Sequence, residues 1–233
     1  MPRNFIAAVV WLLMAACAFR SASGDGLIQT LPLSKSWVRY RMSEEWANGT
    51  AREIDISIRL VRRELYKNIP CSFVEILLSV PDDTSIKRSY LFLMLDGQKI
   101  DHTFLTNPTS VWSKKSDGVY ARKNDPWDGF LPRLKLIFLP TAERMSTSLN
   151  KTIRVDAVEL DCTVHSGASS YKSDTEHVQV TYEIAESAKV PFGVAELTLS
   201  VDQRLLGDAE STTGTIKFHL TEFGANEFSK SPN

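Results

Sequence analysis

The chain has 233 residues, 43% of them hydrophobic and 24% charged, with 27 basic side chains against 28 acidic ones and a formal net charge of −1. Charges of both signs are interspersed, which excludes the basic footprint of a nucleic-acid binder and any polyanion ligand held by charge alone. The hydrophobic share is that of a globular domain with a real core.

The first element in chain order is an export signal. Met1-Pro2-Arg3-Asn4 gives a short basic start, residues 5–18 carry no charge, and small residues come next at Ala16-Cys17-Ala18 and Ser21-Ala22-Ser23. Basic, then apolar, then small is the order of a secretory signal peptide. The apolar run is shorter than the roughly 20 residues that cross a bilayer, and no later run qualifies as a transmembrane segment. Residues 1–23 are therefore expected to be a signal peptide, residues 24–223 a single β-rich domain, and residues 224–233 a disordered tail. The expected location is secreted or periplasmic. Leu13-Met14-Ala15-Ala16-Cys17 approximates a lipoprotein signal, so the alternative is a lipid anchor on Cys17.

Period-two alternation dominates the rest of the chain. Ile54, Ile56, Ile58 and Leu60 share one face and Asp55, Ser57 and Arg59 the other, as in a half-buried antiparallel strand. Residues 37–42 form the strand before it, and Asn48-Gly49 supplies the turn of a hairpin, with one helical turn expected over residues 43–46, capped by Ser43. Residues 71–80 are apolar on both faces, which predicts a central strand between Pro70 and Pro81, and residues 89–95 form another strand. Residues 98–132 are irregular, with a helix start at Asp125-Pro126, and residues 134–139 either continue that element or begin a strand.

In the last third the alternation of Ile153 and Val155 slips by one residue at Ala157-Val158, the mark of a β-bulge, before continuing through Leu160, Cys162 and Val164. A polar loop is expected at residues 167–173, a strand at 178–184, a turn at Pro191-Phe192-Gly193, and strands at 195–201 and 216–220 joined by Thr212-Thr213-Gly214. The fold class is thus mainly β: a curved antiparallel sheet, half-barrel or open barrel, of about eight to ten strands, with one or two short helices in the middle segment.

No catalytic signature is present: no Gly-x-Ser-x-Gly elbow, no phosphate-binding glycine loop and no His-Glu-x-x-His pair. The four histidines, His102, His165, His177 and His219, lack metal-ligand spacing, so no metal site and no cofactor are expected. In an exported chain, Cys71 and Cys162 are the natural partners for one disulfide, against two buried thiols that never meet.

Glu75 stands in a strand with apolar neighbours on both sides, so its carboxylate is either salt-bridged, with Arg39 or Arg41 as partner, or a polar contact inside a ligand pocket. Trp112, Trp127 and Phe130 lie in the irregular middle segment, where large rings either plug the core or form a lid over a cavity. Glu75, Trp112, Trp127 and Phe130 are the candidate ligand-binding residues.

Three segments carry a family resemblance: residues 69–75 (Ile-Pro-Cys-Ser-Phe-Val-Glu), 155–162 (Val-Asp-Ala-Val-Glu-Leu-Asp-Cys) and 190–194 (Val-Pro-Phe-Gly-Val). Together they resemble uncharacterised secreted β-proteins of bacteria, planctomycetes especially, although Val158 stands where those proteins often have Gly. More distantly, the layout is similar to periplasmic lipoprotein carriers, whose curved sheet wraps helices around an apolar cavity, an analogy of fold and not of site. The expected function is an exported non-catalytic envelope protein that binds lipid or another apolar ligand in a curved sheet, its partner being that ligand or an envelope protein. The alternative is a structural or protein-interaction module with a filled core, and a hydrolase comes third.

Overall fold

A computed structural model describes residues 26–32, 34–81, 83–95, 111–115, 121–122, 143–172, 176–205 and 210–225. These form β1 (Ser36–Trp46), β2 (Ala51–Tyr66), β3 (Ile69–Val80), β4 (Asp83–Leu95), the short β5 (Val111–Lys115) and β6 (Ala121–Arg122), then β7 (Glu143–Val155), β8 (Val158–Lys172), β9 (Glu176–Glu186), β10 (Val194–Leu205) and β11 (Thr212–Ala225). All belong to one antiparallel sheet in the order β6-β5-β4-β3-β2-β1-β11-β10-β9-β8-β7. The sheet is open, and β1 and β11, near the two ends of the described chain, pair at its centre.

The alternation seen in the sequence builds the core directly. Val38, Tyr40 and Met42 of β1 share a face with Ile54, Ile56 and Ile58 of β2, because paired residues of antiparallel strands point the same way. The same face continues through Phe218 and Leu220 of β11, Leu197 and Leu199 of β10 and Tyr182 and Ile184 of β9, all in one buried cluster. Leu27 and Ile28 of the segment ahead of β1 join it, held where the Gln29 and Thr30 amides donate to the Phe192 carbonyl at 3.0 and 3.4 Å.

Register shifts between Arg39 and Tyr40, Leu60 and Arg62, and Val194 and Glu196 are bulges, and each adds bend and twist to its strand. Lys151 of β7 bonds to Glu196 of β10 although β8 and β9 separate them in strand order, because the β7–β8 hairpin runs past the end of β9.

Several local expectations are corrected. Residues 43–46 are extended, not helical: β1 runs to Trp46, and the turn is set by Gly49 at φ 83° and by Asn48 Oδ1, which accepts from the Thr50 amide at 2.9 Å. The slip at Ala157-Val158 is a hairpin, not a bulge, since Val155 pairs with Val158 and Asp156 takes φ 51°. The polar stretch from residue 167 is strand as far as Lys172, paired with β9 throughout and with β7 at Gly167 and Ala168, and its small residues Gly167 and Ser169 face inward. Thr212, Thr213 and Gly214 belong to β11 and not to the loop before it.

The expected signal segment with Cys17, the expected Asp125-Pro126 helix start, residues 134–139 and residues 226–233 lie outside the described residues.

Candidate functional site

β3 and β4 are buried on both faces. Val74, Ile76 and Leu78 of β3, with Tyr90, Phe92 and Met94 of β4, feed the main core. The residues between them point the other way, where Cys71, Phe73 and Leu93 make a second small cluster with Val61 and Leu91 packed against it. This two-sided burial is what the double apolar face of residues 71–80 predicts for a central strand.

Glu75 lies on that second face with a residual exposure of 6%. Its carboxylate accepts from Ser89 Oγ of β4 at 2.8 Å and forms an ion pair with Arg59 of β2. Arg59 is its register partner, so the pairing follows from the ladder itself. The expected partners Arg39 and Arg41 are engaged elsewhere, Arg39 with Glu222 at 2.7 Å and Arg41 with Asp55 at 2.9 Å. They lie on β1, one strand further away, because a β2–β3 hairpin at Lys67-Asn68 intervenes. Sequence reasoning misses Arg59 and Ser89, whose only signal is an outward phase in strands whose alternate residues are apolar.

The register also brings two of the four candidate residues into one row. Glu75 pairs with Leu91, and Leu91 pairs with Trp112 of β5. Trp127 and Phe130 lie outside the described residues.

The expected Cys71–Cys162 disulfide is not formed: both thiols are free and buried. β3 and β8 are separated by β2, β1, β11, β10 and β9, and Cys71 belongs to the second cluster while Cys162 belongs to the main core. Each sulfur is instead aimed at a carbonyl, Cys71 at Glu64 at 3.2 Å and Cys162 at Leu160 at 3.6 Å. Burial first, then the nearby Glu196 carboxylate, pushes the Cys162 thiol above its ordinary range, so it is a poor nucleophile at neutral pH.

Other polar groups are arranged in pairs. His165 Nε2 lies 3.2 Å from Glu186, and Glu196 bridges Lys151 and His219 Nδ1, the latter at 3.1 Å. Among the described residues no group of three or more His, Cys, Asp or Glu side chains converges as a metal site would require. A groove of about 1020 Å³ crosses β1, β11, β10, β9 and β8. Its solvent-facing side chains include Ser170, Gln179, Thr181, Ser200, Asp202 and Thr215, and no Leu, Ile or Phe lines it. Polar side chains predominate in it, interrupted by Trp46, Ala47 and Ala168.

No protein-family model and no curated protein matches the chain. Three solved structures are similar in strand layout. A protein assigned to the lipoproteins from Parabacteroides distasonis is 11% identical, covering 86% of this chain and 100% of its own, with a TM-score of 0.41. A protein assigned as exported, with a YmcC-like fold, from Bacteroides fragilis is 7% identical, covering 83% of this chain and 97% of its own, with a TM-score of 0.38. A LolA-superfamily protein from Nitrosomonas europaea is 7% identical, covering 85% of this chain and 89% of its own, with a TM-score of 0.33. At such scores the likeness carries no inference about ligand or activity.

Proposed function

We propose that this chain is an exported, non-catalytic envelope protein that holds a lipid or another apolar ligand against the second face of the sheet at β3 and β4. The observation that carries the reading is the apolar cluster of Cys71, Phe73 and Leu93 on the side opposite the main core, with Glu75 buried in the same face. An antiparallel sheet needs only one apolar face to fold, and an apolar second face serves whatever lies on it. Glu75, bound by Arg59 and Ser89, gives that face a polar end that can orient an amphiphile. Trp112, in the same row, belongs to the segment expected to cover the ligand, together with Trp127 and Phe130.

A filled-core module is the second reading. Its support is the close packing of the main face and the polar character of the groove across β8 to β11. Native mass spectrometry of protein purified from its own envelope separates the two. A co-purified apolar ligand supports the carrier reading, and a mass equal to the polypeptide alone supports the module.

A further inference from the structure

The β2–β3 hairpin ends in a tip that the proposed carrier function does not use. β1 pairs with β2 only as far as Arg59, and β4 pairs with β3 only as far as Cys71. Residues 62–70 therefore run past both neighbouring strands as a two-stranded ribbon. Lys67 and Asn68 close it with φ angles of 51° and 64°, the two positive values of a tight and rigid hairpin turn.

The ribbon exposes what a soluble surface usually hides. Leu65 is 66% exposed and Ile69 46%, and both flank the turn. Leu65 pairs with Pro70 and Ile69 with Tyr66, so the tip carries one exposed apolar side chain on each face of the ribbon, and an end-on approach engages both. Arg62, Arg63 and Lys67 are exposed here against one carboxylate, Glu64, so the tip is net positive in a chain that is net negative. Arg62 lies 4.4 Å over the Phe73 ring and pairs with Glu64 at 3.1 Å, and Arg63 Nε donates to Ser72 Oγ at 3.1 Å, so two of the cations are held at the base of the ribbon.

The position of the tip selects the partner. In this antiparallel sheet the β2–β3 turn, the β7–β8 turn and residues 187–193 share one end, and Val158, also exposed, is at that end. Gln29 and Thr30 bond to Phe192 there, so the described chain enters the sheet at this end. Apolar side chains at the tip with cations behind them match a phospholipid surface carrying negative charge.

We infer that this end of the sheet docks on an anionic phospholipid bilayer, with Leu65 and Ile69 reaching the acyl boundary while Arg63 and Lys67 meet the phosphates. The inference rests on the envelope setting of the proposed function but not on a ligand at β3 and β4, so either can fail without the other. The test is flotation of residues 24–233, the chain expected after signal removal, which carries neither Cys17 nor the apolar run at residues 5–18, with vesicles of phosphatidylglycerol and phosphatidylethanolamine. Binding to these vesicles is expected, with about tenfold loss on phosphatidylcholine alone and about tenfold loss for Leu65→Ser/Ile69→Ser. Leu205→Ser, at the opposite end, should leave binding unchanged. Equal flotation of the double variant and its parent, or no preference for the anionic vesicles, would overturn the inference. So would a fall in oligomeric mass by light scattering on the same double substitution, which would assign the tip to a second copy of the chain.

Discussion

Tyr40→Phe is the sharpest perturbation of the fold, because it removes one oxygen and leaves the packing intact. Tyr40 of β1 is 1% exposed, and its hydroxyl donates across β11 to the Val194 carbonyl at 2.8 Å. That bond pins the turn on which the segment ahead of β1 is docked. Its loss, with the carbonyl left short of a donor, is expected to cost about 1–2 kcal/mol. For a domain of this size the melting temperature should fall by about 2–8 °C. The pH dependence gives an independent reading of the same bond. Burial pushes the Tyr40 phenol far above its ordinary range, so it stays protonated in the folded state. The unfolded phenol ionises near pH 10, so this contribution is fully present below about pH 10 and is lost as pH rises. Relative to Tyr40→Phe, the wild type should lose about 1.4 kcal/mol per pH unit above that point, and its advantage should vanish near pH 11. The other tyrosines are common to both proteins and cancel. Urea unfolding of the pair at pH 8, 10 and 11 makes the comparison. A difference below about 0.5 kcal/mol at pH 8, or one that does not change with pH, would refute the reasoning.

Gly214→Ala should destabilise by about 1–3 kcal/mol, because a Cβ there would stand 2.5 Å from Trp46 Cε3 and the ring would have to move. A lower urea midpoint at unchanged slope is the expected result, and an unchanged midpoint would contradict the placement of that ring. Cys71 and Cys162 should resist alkylation in the native protein and react as two free thiols on unfolding, with or without reductant. A species in which neither thiol reacts until it is reduced would contradict the assignment.

What the sequence discloses here is phase, and what it conceals is which strand lies next to which. Ile54, Ile56, Ile58 and Leu60 declare a one-sided strand, and residues 71–80 declare a two-sided one, because burial acts residue by residue along a period of two. The Lys67-Asn68 turn is hard to read because neither residue is Gly, although both adopt positive φ. Without that hairpin, β3 falls beside β1 and Glu75 gains the wrong arginine. The turn at Asp156-Ala157 resembles a bulge for a related reason. A two-residue loop and a one-residue insertion both shift the alternation by one, and only the pairing of Val155 with Val158 distinguishes them. The absent disulfide has the same origin. Cys71 and Cys162 each sit in an apolar strand, but the strand order puts five strands and two separate clusters between them.

The central claim is that the second face at β3 and β4 serves an apolar ligand. Native mass spectrometry of the protein taken from its own envelope tests it most directly, comparing wild type with Leu93→Asp, which places a charge in the cluster of Cys71 and Phe73. The carrier reading predicts a lipid-sized mass on the wild type that is absent from a folded variant. A bare polypeptide mass for the wild type, or the same adduct on both proteins, would contradict it.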